Sequence, residues 1–102
     1  MTELRRWAKE RVSEATELTE SEYLRYLEDF KNPEIDIKLL RKSIFQNHKN
    51  PTDEAMRIAL EKYYKDSQND SLINIKMRVV LYELKEQSPD KFNKFVQMIE
   101  LY

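Results

Sequence analysis

Apolar side chains recur along this chain at intervals of three and four residues, the repeat of one face of an α-helix, and the pattern predicts six helical segments. The first runs from about Glu3 to Glu17, with Leu4, Trp7, Ala8, Val12 and Ala15 as its stripe. The second starts after Thr19, whose spacing to Glu22 matches a capping box, and reaches about Lys31 with Tyr23, Leu24, Leu27 and Phe30 inward. Asn32-Pro33 stops it. The third carries Ile37, Leu40, Ile44 and Phe45 inward and has two candidate starts, Pro33 and Asp36. The polar cluster from Asn47 to Pro51 ends it.

Thr52 is the expected cap of the fourth helix, with Asp53 and Glu54 in the first turn, where negative charge is favourable. Met56, Ala59, Leu60, Tyr63 and Tyr64 form its inner side. Asp70 or Ser71 caps the fifth, the most apolar segment: Leu72, Ile75, Val79, Val80 and Leu84 share a face that Ile73, Met77 and Leu81 widen. A helix with so wide an apolar face is expected at the centre, packed from more than one side. Ser88-Pro89-Asp90 opens the sixth, with Phe92, Phe95, Val96 and Ile99 inward. The expected fold is all-α, a compact bundle of five or six short helices in one domain over residues 1–102.

A small solenoid-like stack of helix pairs is the alternative arrangement. Thr19, Thr52 and Ser88 begin segments separated by 33 and then 36 residues, and Tyr23, Met56 and Phe92 correspond behind them, as do Phe30, Tyr63 and Ile99. Such periods suit helical repeats. The same alignment also arises from any helices with a polar cap and an i, i+4, i+7 stripe.

Composition changes the picture in three ways. The chain has no cysteine, which removes disulfides, thiolate metal sites and cysteine nucleophiles together. It has no glycine, which removes glycine-rich phosphate loops and dinucleotide fingerprints, and favours asparagine wherever a left-handed helix cap is needed. Behind Arg5 and Arg6 there is no apolar run of signal-peptide type, and no stretch approaches the ~20 apolar residues of a membrane helix, so a cytoplasmic location is expected.

Candidate chemistry is sparse. His48, the single histidine, lies in a polar turn with no second ligand at helical spacing, so neither a metal site nor a cofactor is expected. Carboxylates are abundant, but paired carboxylates run acid–base chemistry only where burial or like charge separates their pKa values. A non-catalytic protein with no small-molecule substrate is the expectation.

Charge is distributed unevenly. Residues 13–36 carry two basic and eight acidic groups, whereas residues 37–51 carry Lys38, Arg41, Lys42 and Lys49 and no acid, within a total of -1. Opposed patches of this kind speed encounter with a protein partner and fix its register. Tyr23 with Tyr26, and Tyr63 with Tyr64, are hard to bury completely in both members of a pair, and exposed tyrosine is a good contact residue. The favoured function is therefore a protein-binding adaptor, inhibitor or regulator of a larger complex, with Tyr23, Tyr26, Tyr64, Arg41 and Lys42 as contact residues. A second copy of the chain is a candidate partner, since the two patches can pair between copies. The alternative is a nucleic-acid-binding regulator using Lys38, Arg41, Lys42 and Lys49, joined by Arg5 and Arg6 of the first helix.

Overall fold

The computed structural model describes residues 2–32, 34–46 and 54–102, and contains α1 (Glu3–Glu17), α2 (Glu20–Asp29), α3 (Lys38–Gln46), α4 (Glu54–Ser67), α5 (Leu72–Gln87) and α6 (Pro89–Ile99). Local chemistry sets several of these ends. Thr2 caps α1 by accepting from the Arg5 amide, and Thr19 and Glu22 form the reciprocal capping box expected of α2. At α3 the Asp36 carboxylate accepts from the Lys38 amide at 2.8 Å, so the helix begins after Asp36. The Asp70 carboxylate accepts from the Leu72 amide at the start of α5, while Ser71 makes no side-chain cap. The expected caps and turn at Pro33, Asn47, His48, Lys49, Asn50, Pro51, Thr52 and Asp53 lie outside the described residues.

Among the described residues none has a positive φ, so no helix whose C-terminal flank is described ends on an asparagine in a left-handed cap. At Leu18 the backbone turns extended, with φ -68° and ψ 132°, and after α2 the amides of Lys31 and Asn32 tighten onto the carbonyls of Glu28 and Asp29. Both routes use conformations open to any residue.

α5 is the central element and packs against each of the other five helices. Met77, Val79, Val80, Leu81 and Leu84 are buried on it, joined in the core by Leu4, Trp7, Ala8 and Ala15 of α1, Leu40 and Ile44 of α3, Met56 and Leu60 of α4, and Phe92, Phe95, Met98 and Ile99 of α6. The first turn of α5 sits further out than its periodicity suggests: Leu72 is exposed and Ile75 half-buried. α2 is also shallower, for Tyr23, Leu27 and Phe30 are half-buried and Leu24 is 52% exposed. It packs chiefly on α5, and a helix touching one neighbour buries only a narrow strip.

The ends of the bundle meet. Thr2 Oγ1 donates to the Tyr102 carbonyl at 2.8 Å, Arg5 donates to the Glu100 carbonyl at 3.1 Å, and α1 packs along α6. The helices behind Thr19, Thr52 and Ser88 pack chiefly on α5 and α1 instead of on one another, so the architecture is a closed bundle of six short helices and not a stack of pairs. Its Cα radius of gyration is 12.8 Å, at the ~13 Å expected of a compact domain of this length. No helix among the described residues is long and apolar enough to cross a membrane.

Candidate protein-docking face

The site is built around Glu83, the one buried charged side chain among the described residues, at 5% exposure on α5. Arg41 of α3 binds it with two parallel hydrogen bonds, Nε to Oε1 at 2.9 Å and Nη2 to Oε2 at 3.0 Å. From the other side the Tyr23 hydroxyl of α2 donates to Oε2 at 2.6 Å. Burying a carboxylate is costly unless its oxygens are satisfied, and a planar guanidinium supplies a matched pair of donors. Glu83 thereby ties α2 and α3 to the same stretch of α5.

Tyr23 also lies against Tyr82, with ring centroids 4.6 Å apart, and Lys85 sits 5.3 Å from the Tyr82 centroid. Burial, followed by the hydrogen bond and charge of Glu83, pushes the Tyr23 phenol well above the ordinary tyrosine range. The Tyr82 phenol is raised by burial and then by the carboxylates of Glu86 and Glu20.

A groove of about 390 Å³ runs between α3 and the last turns of α5. Lys38, Arg41, Lys42, Phe45 and Gln46 form its α3 wall, and Glu83 and Gln87 its α5 wall. Lys38 and Lys42 are exposed, and Leu39 between them is 73% exposed. Lys91 of α6 donates to the Phe45 carbonyl at 3.1 Å, in the last turn of α3, where the helix dipole favours a cation. On the α2 side a second hollow of about 280 Å³, lined by Glu20, Tyr23, Tyr82 and Glu86, shares Glu83 and Gln87 with the groove. The face therefore changes sign across α5, from the lysines of α3 to the carboxylates of α2.

Comparison with protein-family models, curated proteins and solved structures finds no match.

Of the residues singled out in the sequence, Lys38, Arg41, Lys42 and Tyr23 come together on this face. Tyr26 is elsewhere: its hydroxyl accepts from Arg78 at 3.1 Å, in a cluster where Arg78 and Arg11 also share the Glu14 carboxylate. Tyr64 packs on Trp7 with ring centroids 5.8 Å apart. The basic residues of α1 do not extend the α3 patch. Arg5 is held by the Glu100 carbonyl, Arg6 pairs with Glu3, and neither lines the groove. Lys49 lies outside the described residues. Sequence reasoning missed Glu83, although a signal existed: it is the single acidic residue between Leu72 and Lys85 in the most apolar helix.

Proposed function

We propose that the chain is a non-catalytic module that binds a protein partner through the face formed by α2, the end of α5 and α3. The carrying observation is the α3 groove, where exposed Lys38 and Lys42 flank half-buried Phe45 and Leu39 projects beside them at 73% exposure. Long lysine stems and an aromatic ring offer apolar contact, and the ammonium heads select for acidic groups on the incoming surface. Glu83 is occupied by Arg41 and Tyr23, which supports a structural role for it rather than proton transfer.

The nucleic-acid reading has less behind it. Arg41 is engaged by a carboxylate and Arg5 by the Glu100 carbonyl, and Arg6, paired at the surface with Glu3, lies away from the α3 patch, which reduces the cations clustered for phosphate. Affinity capture from cells that make the protein, with and without nuclease, compares the wild type with a Lys38→Glu/Lys42→Glu variant. A stoichiometric second protein that survives nuclease and is lost with the variant is the expected result. Recovery of nucleic acid alone, with every bound protein released by nuclease, overturns the reading.

A further inference from the structure

α2 and α3 lie on opposite sides of Glu83 and expose stripes of opposite charge. Within α2, Glu20, Leu24 and Glu28 follow at i, i+4 and i+8, which aligns them along one flank of the helix. All three are exposed. Glu14, Glu17 and Leu18 at the α1 end line a hollow together with Glu22, two residues from Glu20 and so on the other flank of α2, and the Glu20–Leu24–Glu28 stripe is turned away from that hollow. Glu20 at its head lines the hollow that adjoins the α3 groove. On α3 the exposed set is Lys38, Leu39, Lys42 and Gln46. With Arg41 taken up by Glu83, the exposed charges of α3 are the two lysines Lys38 and Lys42, against the two carboxylates Glu20 and Glu28 of the α2 stripe.

The geometry points to a second copy of this chain as an occupant of this face, in a two-fold dimer whose axis lies in the interface along the line between α2 and α3. Rotation about that axis lays α2 of each protomer on α3 of the other. Every acidic stripe then meets a basic one, and both contacts are made at once, as an isologous interface requires. Stacking a copy by simple translation does not satisfy both. The same rotation brings Leu24, 52% exposed, and Leu39, 73% exposed, into the contact, so each charge stripe carries an apolar residue that gains cover. It also covers the one helix in the described bundle that has no buried residue, α2, whose apolar side rests chiefly on α5 at half-burial. The lysines and carboxylates remain at the rim, where they set register and encounter rate more than affinity.

This inference rests on the reading of the face as a protein-docking surface and names one partner for it. The test is sedimentation equilibrium of the full chain across a range of concentrations, for the wild type, for Lys38→Glu/Lys42→Glu, for Glu20→Lys/Glu28→Lys, and for the two variants mixed in equal amounts. The wild type is expected to dimerise with concentration, and each variant alone to dissociate at least about tenfold more readily, because its stripes repel. The mixture is expected to recover wild-type association, since in the mixed dimer the unaltered α2 of one variant meets the unaltered α3 of the other, and the altered α2 meets the altered α3 with the charges exchanged. Leu39→Ser, which leaves every charge in place, weakens the dimer too, and helical circular dichroism verifies that each variant is folded.

A wild type that stays monomeric throughout overturns the dimer, as does a dimer indifferent to both charge variants and to Leu39→Ser. If the chain is monomeric while capture of a different protein is still lost with Lys38→Glu/Lys42→Glu, the dimer fails and the docking reading stands. If the dimer behaves as expected and no other protein is captured, self-association accounts for the face.

Discussion

Arg41 and Glu83 are joined by a two-pronged ion pair, with the carboxylate buried at 5% exposure and the guanidinium side chain 41% exposed. The asymmetry fixes which partner is costly to lose. Removing Arg41 strands a buried carboxylate with Tyr23 as its remaining partner, whereas removing Glu83 leaves a guanidinium that water can reach. Arg41→Ala is expected to cost about 2 kcal/mol in urea denaturation, and less when Glu83→Leu is already present. Equal losses in the two backgrounds would mean that the pair contributes no coupling.

Tyr23 ties the same carboxylate to α2, and its phenol is raised above the ordinary tyrosine value. The folded state therefore favours the protonated phenol. That contribution is complete below about pH 10, where tyrosine in the unfolded chain is also protonated, and it declines as pH rises beyond that. Stability is expected to fall above about pH 10, less steeply in Tyr23→Phe than in the wild type. Ultraviolet titration of tyrosinate checks the cause: Tyr23→Phe removes a late-ionising group.

Asn74 is a second anchor. Its side-chain oxygen accepts from Trp7 Nε1 at 2.9 Å and from Arg11 Nη1 at 2.7 Å, fixing α1 on the first turns of α5. Asn74→Leu leaves both donors without this acceptor and is expected to cost about 1–3 kcal/mol, with a shift in tryptophan fluorescence. Unchanged stability and emission would show that water replaces the amide freely.

The helices differ in how firmly they are held. Leu81→Ala or Leu84→Ala on α5 opens a cavity under a fully buried side chain and is expected to cost about 2–5 kcal/mol. Leu24→Ala on α2 is expected to change the stability of the isolated protomer by less than about 0.5 kcal/mol. Hydrogen exchange in dilute protein should accordingly show α2 opening before α5. Protection of α2 equal to that of α5 would contradict its shallow docking.

The bounds of α1, the capping box at Thr19 and the central place of α5 were legible because each follows from local spacing: a polar cap, a 3.6-residue stripe, an apolar face too wide for one neighbour. Depth was not. The periodicity of α2 indicates Tyr23, Leu27 and Phe30 as its inner side but also Leu24, which is exposed beside Glu20 and Glu28; the half-burial of the other three follows from α2 resting mainly on α5, and the number of neighbours is a tertiary property. The same limit applies to the basic residues. Charge counting placed Lys38, Arg41 and Lys42 on one helix surface, yet the capture of Arg41 by Glu83 depends on a residue 42 positions away. A lone acid in an apolar helix, as at Glu83, is the local sign that such a partner exists.

The most direct test of the docking face is photocrosslinking in living cells from a reactive amino acid placed at Leu39, with Ile58 as control, a residue 58% exposed on α4. The account predicts a discrete protein adduct from position 39, to a partner or to a second copy of the chain, and none of comparable yield from position 58. Adducts of equal yield from both positions, or adducts to nucleic acid alone from position 39, would contradict it.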